Sequence, residues 1–232
     1  MTQIKENVRV WLERFLDQYE VAEDGVVLVH DNGQMDPILV KSLYDALSLE
    51  LQMGTIGVFG DHNLNEHVGL SEDLKNLTTQ ERMVLGSGVL LQLLTLNQES
   101  SFAYHPSHLI GFKGKYAPYL SRNFELDFPY GPVSIYNDLY GMDALVIHLG
   151  PITAIPEARY AFSKRKDAII QKNTAIQQGQ LISFLDYDVD EEVLTQAIYD
   201  TGLVHTHDCF GVEVHVYRYQ DLIDALKLTE IN

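Results

Sequence analysis

The chain has 232 residues, enough for one large domain, and 46% of them are hydrophobic, which is ordinary for a protein with a buried core. Its 16 Lys+Arg against 33 Asp+Glu leave a net charge of -17, which argues against a nucleic-acid partner and favours cations such as amines near the surface. The single cysteine, Cys209, excludes an intrachain disulfide, and no apolar run reaches the ~20 residues of a membrane span, so a cytoplasmic location with no membrane partner is expected.

The first twenty residues carry charges throughout and contain no secretory h-region. Val8, Leu12, Phe15, Leu16 and Tyr19 recur at helical spacing, which predicts an amphipathic first helix. GVVLVH, 25–30, reads as a buried strand. Asp36 followed by Pro37 is a helix start, an N-cap and then a residue whose missing N–H costs nothing, so a helix is predicted over 37–52. GTIGVFG, 54–60, is the next strand, and strand, helix, strand predicts a parallel pair. A long polar loop then leads to Thr78 and Glu81, a capping-box pattern ahead of a helix over 79–96.

Further along, a short helix near 134–140 precedes the strand ALVIHLG, 144–150. Asp190 caps a predicted helix over 190–200, and the tail reads as strand LVHTH, strand VEVHVYRY and helix DLIDALKL. The alternation places the chain in the α/β class, with a mixed or parallel central sheet flanked by helices.

HPSHLIGFKGKYAPYL, FPYGPVSIYNDL and ALVIHLGPITAI resemble, in order, the three central motifs of the aminoglycoside 3-N-acetyltransferase family. VVLVHDNG is similar to that family's first strand and loop, and the segment from Gly202 to Leu226 to its closing strand and helix. The resemblance implies one such domain over 1–232, shortened between 160 and 190, and a divergent N-acyltransferase that moves an acyl group from acetyl-CoA or another acyl-CoA to a small-molecule amine such as an amino sugar. It also puts Pro156 and Arg159 where the family has its histidine and glutamate. Neither accepts a proton, so restoring the pair by Pro156→His with Arg159→Glu is expected to raise acetyl transfer.

The chemistry needs a base near neutral pKa to deprotonate the ammonium acceptor, and donors for acyl oxygen and phosphate. His105, His108 and Glu157 are the candidate base residues, and the HPSH segment also reads as a turn that shapes the cleft. His30, Ser134 and Tyr130 are the candidate donor-binding residues, with Tyr104 beside them, and Lys164, Arg165 and Lys166 form the only basic run. No metal is expected, although period two would put His205, His207, Cys209, Glu213 and His215 on one face of an unbroken strand, a zinc-competent set. DYDVDEE, 186–192, reads as a solvated acidic helix start. A non-catalytic relative that binds a ligand or partner subunit is the alternative, metal-dependent chemistry using the C-terminal histidines is a third reading, and a homo-oligomer or partner protein is compatible with each.

Overall fold

In a computed structural model that describes residues 2–60, 88–122, 124–152, 155–177 and 180–229, seven strands form one mixed sheet and two more form a separate hairpin. Three strands at its centre run parallel: β1 (Val26–Asp31), with β2 (Thr55–Phe59) on one side and β5 (Leu145–Leu149) on the other. Each flank is closed by an antiparallel hairpin, β3 (Ser101–His105) with β4 (His108–Gly114) beside β2, and β8 (His205–Cys209) with β9 (Val212–Arg218) beside β5. The sheet order is therefore β3-β4-β2-β1-β5-β9-β8.

Every residue of β2 and β5 is buried, the burial pattern of strands covered on both faces. One face packs Val27, Val29, Ile56, Val58 and Ile147 against α1 (Thr2–Gln18), α2 (Pro37–Glu50) and α3 (Val89–Thr95). Val8, Leu12, Phe15 and Leu16 of α1 lie in this core, as their spacing predicts. On the other face Leu28, Ile110, Phe112 and Val146 pack under α4 (Ala117–Leu120), α5 (Ile135–Gly141), a 3-10 helix (Pro156–Lys164), α6 (Glu191–Asp200) and α7 (Tyr219–Leu228). The hairpin of β6 (Ile170–Gln177) and β7 (Gln180–Tyr187) sits outside the sheet.

The start signals work as read. Asp36 accepts from the Ile38 N–H at 2.8 Å, ahead of Pro37. Asp190 accepts from Glu192 and Val193 at 2.9 and 3.1 Å. Asp190→Ala leaves those N–H groups to water and is expected to cost about 1 kcal/mol, read as a lower urea midpoint at unchanged m. The Thr78/Glu81 pattern and the long loop before it lie outside the described residues. Among the described residues no helix is long and apolar enough to cross a membrane.

Candidate functional site

The chain leaves β1 for β2 on one side and reaches β5 on the other, so the strand order reverses at β1. Open α/β sheets bind ligands at such a point, beyond the carboxyl ends of the strands. His30 lies at that end of β1, and the register pairs it with His148 of β5, which is itself paired with His215 of β9. Directly opposed residues share a face, so the three imidazoles form a row across the sheet. The His30 ring stacks between Phe59 and His148, each 4.1 Å away centroid to centroid.

Above this row sits Glu157. The 3-10 helix begins with Pro156, whose ring suits a first helical position, and Glu157 follows it with its side chain wholly buried. The Tyr219 hydroxyl donates to the Glu157 carbonyl at 2.8 Å and pins the helix start. Glu157 Oε1 receives the Tyr217 hydroxyl at 2.6 Å and contacts His30 Nε2 at 2.9 Å. His148 Nε2 is 3.0 Å from the same hydroxyl and 3.9 Å from Oε1.

Electrostatics fixes the protons in this cluster. Burial, and then the neighbouring His30 and His215, push His148 well below the usual histidine range, so it is neutral. Burial and the Glu157 charge push the Tyr217 phenol well above its usual range, so it keeps its proton. His148 Nε2–H then donates to the tyrosine oxygen, Tyr217 O–H donates to the carboxylate, and His30 donates to it through Nε2–H. A neutral His30 held this way has its lone pair on Nδ1, and His30 is the partly exposed member of the cluster.

Of the residues named from the sequence, then, the structure joins His30 to Glu157, a carboxylate it receives from 127 residues away. His105 and His108 belong to a second cluster. They close the β3–β4 hairpin around a two-residue turn, with Ser107 Oγ 2.6 Å from His105 Nδ1 and 3.0 Å from His108 Nδ1, and His105 Nε2 bonded to the Leu126 carbonyl. Tyr130 is buried with its ring on His108 and Tyr136, and Ser134 is buried with its hydroxyl on the Gly131 carbonyl. Tyr104 is half-buried against the opposite core. Lys164 and Lys166 are exposed, and Arg165 is held by Asp167 and the Thr229 carbonyl.

Two sequence readings are corrected. The zinc-competent face of the tail does not exist, because Phe210 and Gly211, both at positive φ, turn the chain into a hairpin. Thr206 now opposes His215 and Asp208 opposes Glu213, so Glu213 and His215 face away from His205, His207 and Cys209. Nor is Asp186 solvated: it is 2% exposed, with Arg159 Nη1 3.3 Å from its carboxylate. Arg159 also binds Glu191 at the start of α6, through Nε at 2.8 Å and through Nη2, and lies over the Tyr130 ring.

Burial pushes the Asp186 carboxyl up to about 6, against the opposing pull of the Tyr187 N–H and Arg159. A carboxyl raised in this way stabilises the fold in its protonated form. Its contribution is complete below about pH 4 and is lost as the pH rises through about 6. The stability of the wild type minus that of Asp186→Asn is therefore expected to fall by about 2–3 kcal/mol between pH 4 and pH 7. Urea titrations of both proteins at the two pH values check this, and a flat or rising difference refutes it.

His148 and Tyr217 went unread in the sequence. The available signal was polarity out of place, a histidine inside the otherwise apolar ALVIHLG and a tyrosine two residues after His215 in VEVHVYRY.

No family model matches the sequence, and no curated protein matches it. Solved structures do match the fold. The YokD protein from Bacillus subtilis superposes with a TM-score of 0.75 at 16% identity, over 98% of each chain. Aminoglycoside acetyltransferase AAC(3)-IIb gives 0.70 at 15% identity over 96% of this chain and 94% of its own. AAC-IIIb in a binary complex with CoASH gives 0.69 at 16% over 94% of each. The chain thus has the aminoglycoside acetyltransferase fold along nearly its whole length.

Proposed function

We propose that this protein is a CoA-dependent N-acyltransferase that acts on a small amine, with His30 as its base and Glu157 as the carboxylate that orients it. The carrying observation is the 2.9 Å contact between His30 Nε2 and a wholly buried glutamate, at the carboxyl end of the central strand. The fold neighbours support the substrate classes, since one is described with CoASH and another with sisomicin bound. The net charge of -17 supports a cationic acceptor.

In this reading His30 Nδ1 takes a proton from the ammonium group. That proton passes to solvent, and the freed nitrogen attacks the thioester carbonyl. His30 then takes a second proton from the nitrogen of the adduct, and the imidazolium gives it to the thiolate as the C–S bond breaks. Ammonium and acyl-CoA become amide and CoASH, with one proton released to solvent. The buried carboxylate opposes the charge that His30 carries in between. Arg159, which stands where the resemblance has a glutamate, takes no part, because its charge is committed to Asp186 and Glu191.

The test uses untagged protein, titrated calorimetrically with acetyl-CoA and then assayed for thiol release with an aminoglycoside and a simple amino sugar. Micromolar binding and amine-dependent thiol release are expected. Acetyl-CoA binding without transfer would instead favour a non-catalytic relative, and no binding would reduce the likeness to fold alone.

A further inference from the structure

We infer that His30, His148 and Glu157 form a binding site for one divalent first-row transition-metal ion, and that this ion and the base function exclude each other. The exclusion rests on the acyltransferase reading; the binding does not.

The donor set comes first. Two imidazole nitrogens and a carboxylate are ligands that zinc and its first-row neighbours accept. Their ligand atoms lie within 4.8 Å of one another, with 2.9 Å from His30 and 3.9 Å from His148 to the same carboxylate oxygen. Ligands around one tetrahedral ion with bonds of about 2.0–2.1 Å stand about 3.3 Å apart, so closure needs side-chain movement rather than backbone movement. The parallel stack, 3° between the His30 and His148 planes, is what must open, by the two rings tilting their Nε2 atoms together.

Three further features favour an ion. Glu157 Oε2 is buried and has no hydrogen-bond partner among the described residues, and buried acceptors are seldom left so. Tyr217 holds Oε1, the kind of outer support that orients a ligating carboxylate. Among the described residues His30 is the partly exposed member of the three, which lets a water serve as fourth ligand.

The exclusion follows from the tautomer. A neutral imidazole has one lone pair, so an ion on His30 Nε2 leaves the proton on Nδ1, the atom that would take the ammonium proton. Zinc therefore acts as an inhibitor of the transfer.

The experiment uses untagged His205→Gln/His207→Gln protein, so that these two tail histidines do not bind zinc. After chelator treatment and dialysis against Zn²⁺, bound zinc per chain is measured by mass spectrometry, and Co²⁺ replaces it for a visible spectrum. One zinc per chain is expected, together with the intense bands of four-coordinate Co²⁺. His148→Gln and Glu157→Gln are each expected to weaken zinc at least tenfold. Zinc well below one per chain, a six-coordinate Co²⁺ spectrum, or zinc retained equally by both variants overturns the site. The spectrum decides on the parent protein if a variant fails to fold. Stoichiometric zinc with undiminished acyl transfer overturns the exclusion. Stoichiometric zinc in a protein whose metal-free form transfers no acyl group upholds the site and removes the acyltransferase reading instead.

Discussion

The Pro156→His/Arg159→Glu double variant is expected to lose about 3 kcal/mol or more of stability and to gain no acetyl transfer. The likeness to the acetyltransferases suggests the opposite, because it restores a family histidine and glutamate. The structure shows what Arg159 holds. Its guanidinium bridges Asp186 of β7 and Glu191 of α6 and covers Tyr130, so it ties the β6–β7 hairpin and the helix after it to the 3-10 helix. A glutamate there puts three carboxylates together beside a buried ring. Removing one partner of a buried ion pair costs about 3–5 kcal/mol, and like charge adds to it, although protonation of Asp186 recovers a part.

Among the described residues the hairpin pairs with no strand of the main sheet, and its other anchors include the bonds of Leu185 to Asp127 and Phe128 and the burial of Phe184 against His105. Pro156→His alone can begin the same helix but sets an imidazole at a buried position, a cost that the single variant measures apart from the loss of Arg159. Urea titrations of both singles and the double check the assignment. An Arg159→Glu protein within about 1 kcal/mol of wild type would mean that the ion cluster holds nothing.

What the sequence showed and hid follows from the range of each signal. Asp36–Pro37, Asp190 and the α1 stripe are local, and each element stands where they put it. The parallel pairing of β1 and β2 was legible because a short helix between two buried strands permits little else. The turn at HPSH was read, but the two strands that it joins were not, since HPSH carries no glycine or asparagine to mark it as the two-residue turn of a hairpin. The tail failed for a related reason: period two was extended across Phe210–Gly211, and a turn resets which residues share a face.

The site was half legible. Glu157 and His30 each stood out, Glu157 beside an altered motif and His30 in a familiar strand, but nothing local says that a residue of the first strand meets one 127 positions later. That contact is set by sheet order, with β1 at the centre and β5 and β9 beside it, and sheet order is a property of the whole chain. Arg159 was misleading because its partners, Asp186 and Glu191, lie 27 and 32 residues on, in a segment read as solvent-facing.

Glu157→Gln is expected to stay folded and to lose about 10²–10⁴ in kcat, with acetyl-CoA affinity changed by only a few-fold. Glutamine has the shape of glutamate. Its carbonyl can still accept from Tyr217 and His30, and its amide falls where Oε2 has no partner among the described residues, so packing is conserved. What disappears is the charge opposite His30. A neutral amide does not stabilise the imidazolium formed when the ammonium proton arrives, so the loss belongs to the transition state and appears in kcat rather than KM. His30→Gln removes the base itself and should fall by a similar factor. If the two residues act as one unit, the double variant falls little further than either single, a non-additivity that independent structural roles would not produce. Single-turnover rates of the three variants with saturating acetyl-CoA decide the matter. A Glu157→Gln protein with the wild-type rate would make the carboxylate a packing element and send the search for a base to His105 and His108, whose cluster around Ser107 is the other concentration of imidazole on the same face of the sheet.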